Sequence, residues 1–388
     1  MKLVNKVVGT VLACTMAVSL LAACNSNTSG TNGKELIIGA SGPLTGNTAS
    51  YGQAVQKGAQ LAVDEINAAG GVNGITLKLD FQDDENNAQK ANNAYNIVKD
   101  NGAKVFMGTV TSGPCVSVVE LAHEDNMFMI TPSGTAVDCI KYDNAFRVCF
   151  NDPMQGTASA EYIATKQLGS RIGVIYDSSD VYSSGIFQAF KAEAANRGLE
   201  IVSEQAFTSS NNTDFSVALQ KIKESNADLV FLPIYYKEAS SILQQARDAG
   251  LSVKWFGCDG LDGVIGQLQD DAALAEGVML LTPYAADSKE EKSAKFTQAY
   301  KEKYNGETPI QFAADAYDAI YAIKAAIEKA GIEDVSMSIS DLCDQLKVAM
   351  TEITLEGVTG TITWSADGEP SKEPKGMVIQ NGGYTAMD

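Results

Sequence analysis

With 388 residues, 45% of them hydrophobic and 20% charged, the chain is long enough for two buried cores and too apolar to be mostly disordered. Its 48 acidic against 29 basic side chains give a net charge of −19, a field that repels nucleic-acid backbones and argues against a basic face for anionic lipid. The single histidine, His123, excludes mechanisms and metal sites that need two.

The first residues read as an address. Lys2 and Lys6 precede a mixed apolar stretch over 7–21, too short for a comfortable membrane span and typical of a secretory signal. It ends Leu21-Ala22-Ala23-Cys24, the order of a bacterial lipobox. Residues 1–23 are therefore expected to be cleaved and Cys24 to carry lipid, and loss of the two lysines takes the net charge to −21. Residues 24–33, rich in Asn, Ser and Gly, read as a flexible tether.

From Lys34 onward, short β-branched runs alternate with amphipathic stretches. Strands are predicted over 35–40, 75–81, 104–108 and 127–131, and helices over 51–69, 87–100 and 114–125. In the first helix Val55, Ala59, Ala62, Val63 and Ile66 share one face. The apolar run 146–150 is placed to cross between domains. A second series follows, with helices over 154–168, 182–197, 215–224 and 238–249 and strands over 171–176, 200–206, 228–234, 253–257 and 277–281. Helices over 289–304, 312–330 and 339–350 come next, and 360–388 reads as strands and turns, one turn at Asp367-Gly368. This alternation implies an α/β protein with two parallel sheets covered by helices. The late helices imply a return to the first lobe, and the ligand cleft should be lined by loops at the C-terminal ends of strands.

Motifs for catalysis are missing. There is no G-x-G-x-x-G after the first strand, no P-loop and no G-x-S-x-G. His123 reads as a solvated helix residue, and Asp83-Asp84 and Asp270-Asp271 as solvated loops. Neither an enzyme nor a cofactor or metal site is expected. Five cysteines remain after processing, none in C-x-x-C spacing. Cys115 and Cys139, both expected on loops at one end of a sheet, are the first candidates for a disulfide. Cys149 and Cys343 read equally well as buried small hydrophobes.

Two loops stand out. Thr109–Pro114 follows the third strand, with Ser112 near the cap of the next helix and Pro114 at its first position. Pro132-Ser133-Gly134-Thr135 follows the fourth. Two hydroxyl- and glycine-rich loops on neighbouring strands offer hydroxyls and free N–H groups to a carboxylate.

The pieces IGASGPLTG…YG (37–52), GAQLAVDEINAAGGVNG (58–74), MITPSGT (129–135), ILQQARDAG (242–250) and WFGCDG (255–260), in this order, resemble the branched-chain amino acid binding proteins of ABC transporters, over nearly the whole mature chain. That resemblance implies two doubly wound lobes joined by a three-strand hinge, lobe 1 at 35–150 and 284–356 and lobe 2 at 151–283 and 357–388. It implies an extracytoplasmic, lipid-anchored monomer that closes on an amino acid, branched-chain or otherwise small and aliphatic, and delivers it to a membrane permease. A ligand-sensing receptor domain of the same fold, for another small carboxylate or amide, is the alternative.

By the same resemblance Ser112 holds the ligand carboxylate. Ser133, through its backbone carbonyl, and Thr135 hold both ligand ends, and Asp259 takes the ammonium group. Tyr51, Tyr182, Tyr235 and Phe312 fall at aromatic positions around the cleft. The chain departs from the family pattern in three ways. Residues 177–182 are one longer, Asp stands at 259 where Glu is usual, and Cys115 and Cys139 do not match the usual disulfide positions.

Overall fold

The computed structural model describes residues 34–387. The expected signal peptide, Cys24 and the tether lie outside the described residues. The first half builds a sheet from β1 (Glu35–Gly42), β2 (Thr76–Asp83), β3 (Val105–Gly108), β4 (Phe128–Thr131) and β5 (Ala145–Arg147). Its order is β2-β1-β3-β4-β5, and every pair is parallel. β3 and β4 are buried along their whole length, which is why they read as unbroken apolar runs rather than alternating ones. The connections are α1 (Ala49–Ala68), α2 (Ala88–Asp100) and α3 (Ser112–Glu124).

The second series gives α4 (Asp152–Thr165), β6 (Arg171–Asp177), α5 (Val181–Asn196), β7 (Glu200–Phe207), α6 (Ser216–Glu224), β8 (Leu229–Leu232), α7 (Tyr236–Asp248), β9 (Lys254–Gly257), α8 (Val264–Leu268) and β10 (Met279–Leu281). After β10 come α9 (Glu291–Lys303), α10 (Gln311–Lys329) and α11 (Ile339–Met350), then β11 (Thr354–Gly357), β12 (Gly360–Thr363), β13 (Gly376–Gln380) and β14 (Gly383–Ala386). The second sheet runs β14-β13-β10-β9-β8-β6-β7. Its first five strands in chain order pair in parallel, and β13 and β14 join antiparallel. β11 and β12 form a separate hairpin. α10 lies along α1 and α11 against β4, so the late helices cover the first sheet.

The chain passes between the two sheets three times, near 148–151, 282–290 and 364–375. These passages are bonded together. The Trp364 indole N–H donates to Arg147 O at 2.7 Å, and Thr282 N–H donates to Lys375 O at 3.0 Å.

Several expectations change. α3 begins at Ser112, with Thr111 as its cap. Pro114 therefore stands third in the first turn, where its missing N–H still costs no intrahelical bond. Between β9 and β10, where no helix was expected, lie α8 and two 3₁₀ turns, Asp259–Leu261 and Gln269–Ala275, all too short to show a helical period. Asp84 is buried rather than solvated, and burial lifts its carboxyl to about 7. The expected Cys115–Cys139 disulfide is corrected. Cys115 is inside α3 and Cys139 in the 3₁₀ turn Val137–Ile140, and both are buried free thiols. The Cys139 thiol donates to Ser112 O at 3.8 Å. Cys149, Cys258 and Cys343 are buried thiols too.

Candidate functional site

The two hydroxyl loops meet. Ser112, the first residue of α3, accepts hydrogen bonds at Oγ from Thr135 N–H (3.2 Å) and Ala136 N–H (3.1 Å), and its Oγ lies 3.3 Å from the Thr135 hydroxyl. Both side chains are buried. Ser133 donates its hydroxyl to Val110 O at 2.7 Å, so its side chain ties the two loops together. Thr131 braces the same loop, accepting from Gly134 N–H and donating to Thr109 O. This corner combines hydroxyls, backbone N–H groups and the start of a thirteen-residue helix, a donor set suited to a carboxylate.

Asp259 comes from the other sheet, just after β9. Its carboxylate accepts from the Tyr182 hydroxyl at 2.7 Å, and Gly260 N–H donates to the same hydroxyl at 2.9 Å. Tyr182 is therefore held by two bonds, and its ring stacks on Tyr235 with centroids 4.8 Å apart. Asp180 caps α5 and accepts from Tyr182 N–H. Burial pushes the Asp259 carboxyl up to about 7 against the lowering bonds from Tyr182 and Gln155. Burial also lifts the Tyr51, Tyr182 and Tyr235 hydroxyls well above the ordinary phenol range.

Tyr51, from α1, bridges the halves. Its hydroxyl donates to Gly260 O and accepts from Tyr236 N–H at 3.1 Å. Its ring stacks on Phe312 at 4.1 Å and meets Tyr235 and Tyr236 edge-on at 5.7 and 4.8 Å. The eight residues expected from the sequence thus fall in two groups, Ser112, Ser133 and Thr135 on the loops after β3 and β4, and Asp259, Tyr182, Tyr235, Tyr51 and Phe312 around the loop after β9. His123 stands apart, exposed and stacked on Tyr142.

Four further residues belong here that the sequence reading passed over. Arg147, at the end of β5, is fully buried and donates to the carbonyls of Gly134 (3.0 Å), Thr135 (2.7 Å) and Val137 (3.2 Å), fixing the second loop from behind. Gln155 Oε1 accepts from Asp259 N–H at 3.0 Å, and Gln311 Nε2 donates to Asp259 O at 2.9 Å. These two bonds fix both amide orientations. Asp152, first in α4, donates its N–H to Thr135 O at 2.9 Å. Asp152 and Gln155 sit three apart on one helix face, a spacing visible in the sequence once α4 is known to start at Asp152.

Two helix-covered sheets that face each other, with neutral donors from one and a carboxylate from the other, define a two-part receptor for a small solute. A family description of periplasmic binding proteins matches residues 35–382, and the chain belongs to that family, whose members bind solutes and are not enzymes. The chain is 32% identical over 345 residues to a Leu/Ile/Val-binding protein homolog of Brucella melitensis, covering 87% of this chain and 89% of that protein. It is similar to the branched-chain amino acid transporter substrate-binding protein LivJ of Streptococcus pneumoniae, solved with isoleucine, at 31% identity and a TM-score of 0.82, covering 91% and 98% of the two chains. The leucine-binding protein LivK of Thermotoga maritima matches at 26% identity and 0.81, covering 92% and 98%.

Proposed function

We propose that the chain is the extracytoplasmic solute-binding component of an ABC importer, and that it closes on an α-amino acid with a branched or other small aliphatic side chain. The observation that supports this reading is that α4 joins the Ser112–Thr135 donor corner to Asp259, Asp152 N–H donating to Thr135 O and Gln155 Oε1 accepting from Asp259 N–H. A zwitterion needs donors at one pole and a negative charge at the other, held at a fixed separation. In this reading the carboxylate takes the Ser112 and Thr135 hydroxyls and nearby N–H groups. The ammonium takes Asp259 and the Ser133 carbonyl. Tyr51, Tyr182, Tyr235 and Phe312 exclude water around an apolar side chain. The relative named as a Leu/Ile/Val-binding protein homolog and the LivJ structure with isoleucine support the same ligand class. Residues 35–150 with 284–356 act as one lobe and 151–283 with 357–388 as the other. A monomer, lipid-anchored through Cys24, passes its ligand to a membrane permease.

The test is isothermal titration of the full mature chain with each of the common amino acids, followed by Asp259→Asn. Stoichiometric binding of aliphatic amino acids is expected. The substitution should weaken it roughly 10- to 100-fold, as the loss of one buried charged hydrogen bond of about 1.5–3 kcal/mol predicts. Unchanged affinity in the variant, or binding by no amino acid, overturns the reading.

A further inference from the structure

The helices differ in how their N-termini are finished. α2, α4, α5 and α11 carry side-chain caps of their own, from Asn87, Asn151, Asp180 and Ser338. α1, α7 and α10 do not, since Thr48, Tyr235 and Ile310 at their cap positions make no such bond. The first turn of a helix leaves N–H groups without an intrahelical acceptor, and for these three helices the acceptor comes from the other half of the molecule. Ser50 N–H, in the first turn of α1, donates to the Tyr236 hydroxyl at 3.3 Å. Tyr236 N–H, first in α7, donates to the Tyr51 hydroxyl at 3.1 Å. Gln311 N–H, first in α10, donates to Asp262 Oδ2 at 2.6 Å, and Asp262 lies in the loop after β9.

The two tyrosine bonds are reciprocal. Tyr51 stands in the first turn of α1 and caps α7, while Tyr236 stands in the first turn of α7 and caps α1. α1 packs on β1 and β2 of the first sheet, and α7 connects β8 to β9 of the second. Both rings are buried and meet edge-on. Beside them Lys237 Nζ donates to Asn47 Oδ1 at 2.5 Å, again from α7 to the start of α1. None of these bonds uses Ser112, Thr135 or Asp259. A rotation that parts the two halves breaks both tyrosine bonds at once, because the same two residues make both.

We propose that Tyr236 and Tyr51 form a reciprocal clasp that exists only when the halves are closed, and that Tyr236, a positioning residue away from the expected ligand positions, sets how long the chain stays shut after capture. The proposal rests on the closing two-lobe reading above and deepens it. Capture begins with the halves apart, before the clasp exists, so the clasp leaves the association rate alone. Release needs the clasp to open, so it slows dissociation, and by the same factor whatever side chain the ligand carries. The clasp also holds a share of the ligand-free chain closed.

The test uses Tyr236→Phe in the full mature chain, a change that keeps the ring and the backbone N–H and removes only the oxygen that caps α1. Stopped-flow kinetics with L-leucine, L-isoleucine and L-valine should show dissociation faster by roughly three- to ten-fold, as the loss of one neutral hydrogen bond predicts. The factor should be the same for the three ligands, and association should stay within about two-fold. A factor that differs from ligand to ligand would put Tyr236 in the ligand pocket, and slower association with unchanged dissociation would mean general damage to the site. Either result overturns the proposal, as does no change at all. A wild-type chain that binds none of the three fails the amino-acid reading instead. The clasp is then read from small-angle X-ray scattering of the ligand-free chains, where Tyr236→Phe should give the larger radius of gyration and identical curves overturn it.

Discussion

Arg147 touches no ligand position, yet three carbonyls of the loop that carries Thr135 converge on its guanidinium. Each buried acceptor left unpaired costs roughly 1–3 kcal/mol, so Arg147→Leu should lower the unfolding free energy by more than one such increment and weaken ligand affinity as the loop loosens. Its carboxylate neighbour Glu369 is about one-third exposed at 3.4 Å, and such a partner contributes about 0–1 kcal/mol. Glu369→Gln should therefore be nearly silent. Denaturant unfolding of both variants checks this, and equal losses would mean that the ion pair, not the carbonyl cradle, is what matters. The contrast also explains what the sequence disclosed of the site. Ser112, Ser133 and Thr135 are legible because hydroxyls and glycines directly after apolar strands have few structural uses besides capping and binding. Arg147 stands inside the apolar run FRVCF, and nothing in a pattern says that its charge is buried. Asp152 and Gln155 are hidden for another reason. Asn151-Asp152-Pro153 reads as an ordinary helix start, and the partner of Gln155 lies in a loop more than one hundred residues away, at Asp259.

At the scale of elements, the strands and helices were readable because fully buried parallel strands make continuous apolar runs and the covering helices keep a period near 3.6. Close approach between elements was not readable. α1 and α10 come so near at Gly58 that a Cβ there would lie 2.0 Å from the backbone oxygen of Ala313. Helix propensity alone favours alanine over glycine by about 1 kcal/mol. The clash is with backbone, which cannot swing aside, and overpacking of this kind costs typically 1–3 kcal/mol or more. Gly58→Ala should therefore be destabilising despite its better propensity. Gly266 in α8 has nothing within 4 Å of its Cβ position, so Gly266→Ala should be neutral or slightly stabilising. Melting temperatures of the two variants decide the matter. If Gly58→Ala proves as stable as the wild type, the tight contact between these helices is wrong. The short helical turns at 259–275 mark the lower limit of pattern reading, since three to seven residues cannot display a period.

At the scale of the molecule, the passages between the sheets are tied to α10 by a buried charge cluster. Lys372, on the third passage, donates to Asp315 Oδ1 at 3.0 Å and to the Thr359 hydroxyl at 2.7 Å. Asp318, one turn further along α10, accepts from the N–H groups of Val358 and Thr359 and from the Thr359 hydroxyl. One lysine thus faces two buried carboxyls. Burial lifts Asp315 to about 6 although Lys372 pulls it down, and Asp318 is raised in the same way. A raised carboxyl means that the folded chain holds a proton that the unfolded chain has released, so stability falls as pH rises from about 4 towards 6 and levels off above that. Removing the lysine lifts Asp315 further and carries the decline to higher pH. Lys372→Met should consequently cost little at about pH 5, where Asp315 is largely neutral already. It should cost several kcal/mol at about pH 8, where breaking one buried pair leaves an uncompensated charge worth roughly 3–5 kcal/mol. Adding Asp315→Asn to Lys372→Met removes that charge and should recover much of the loss at pH 8 but little at pH 5. Denaturant unfolding of the two variants at both pH values reads the result. A Lys372→Met penalty that is the same at both pH values would mean that the cluster acts through packing and hydrogen bonding alone, and that charge balance at the crossings does not help hold the two halves together.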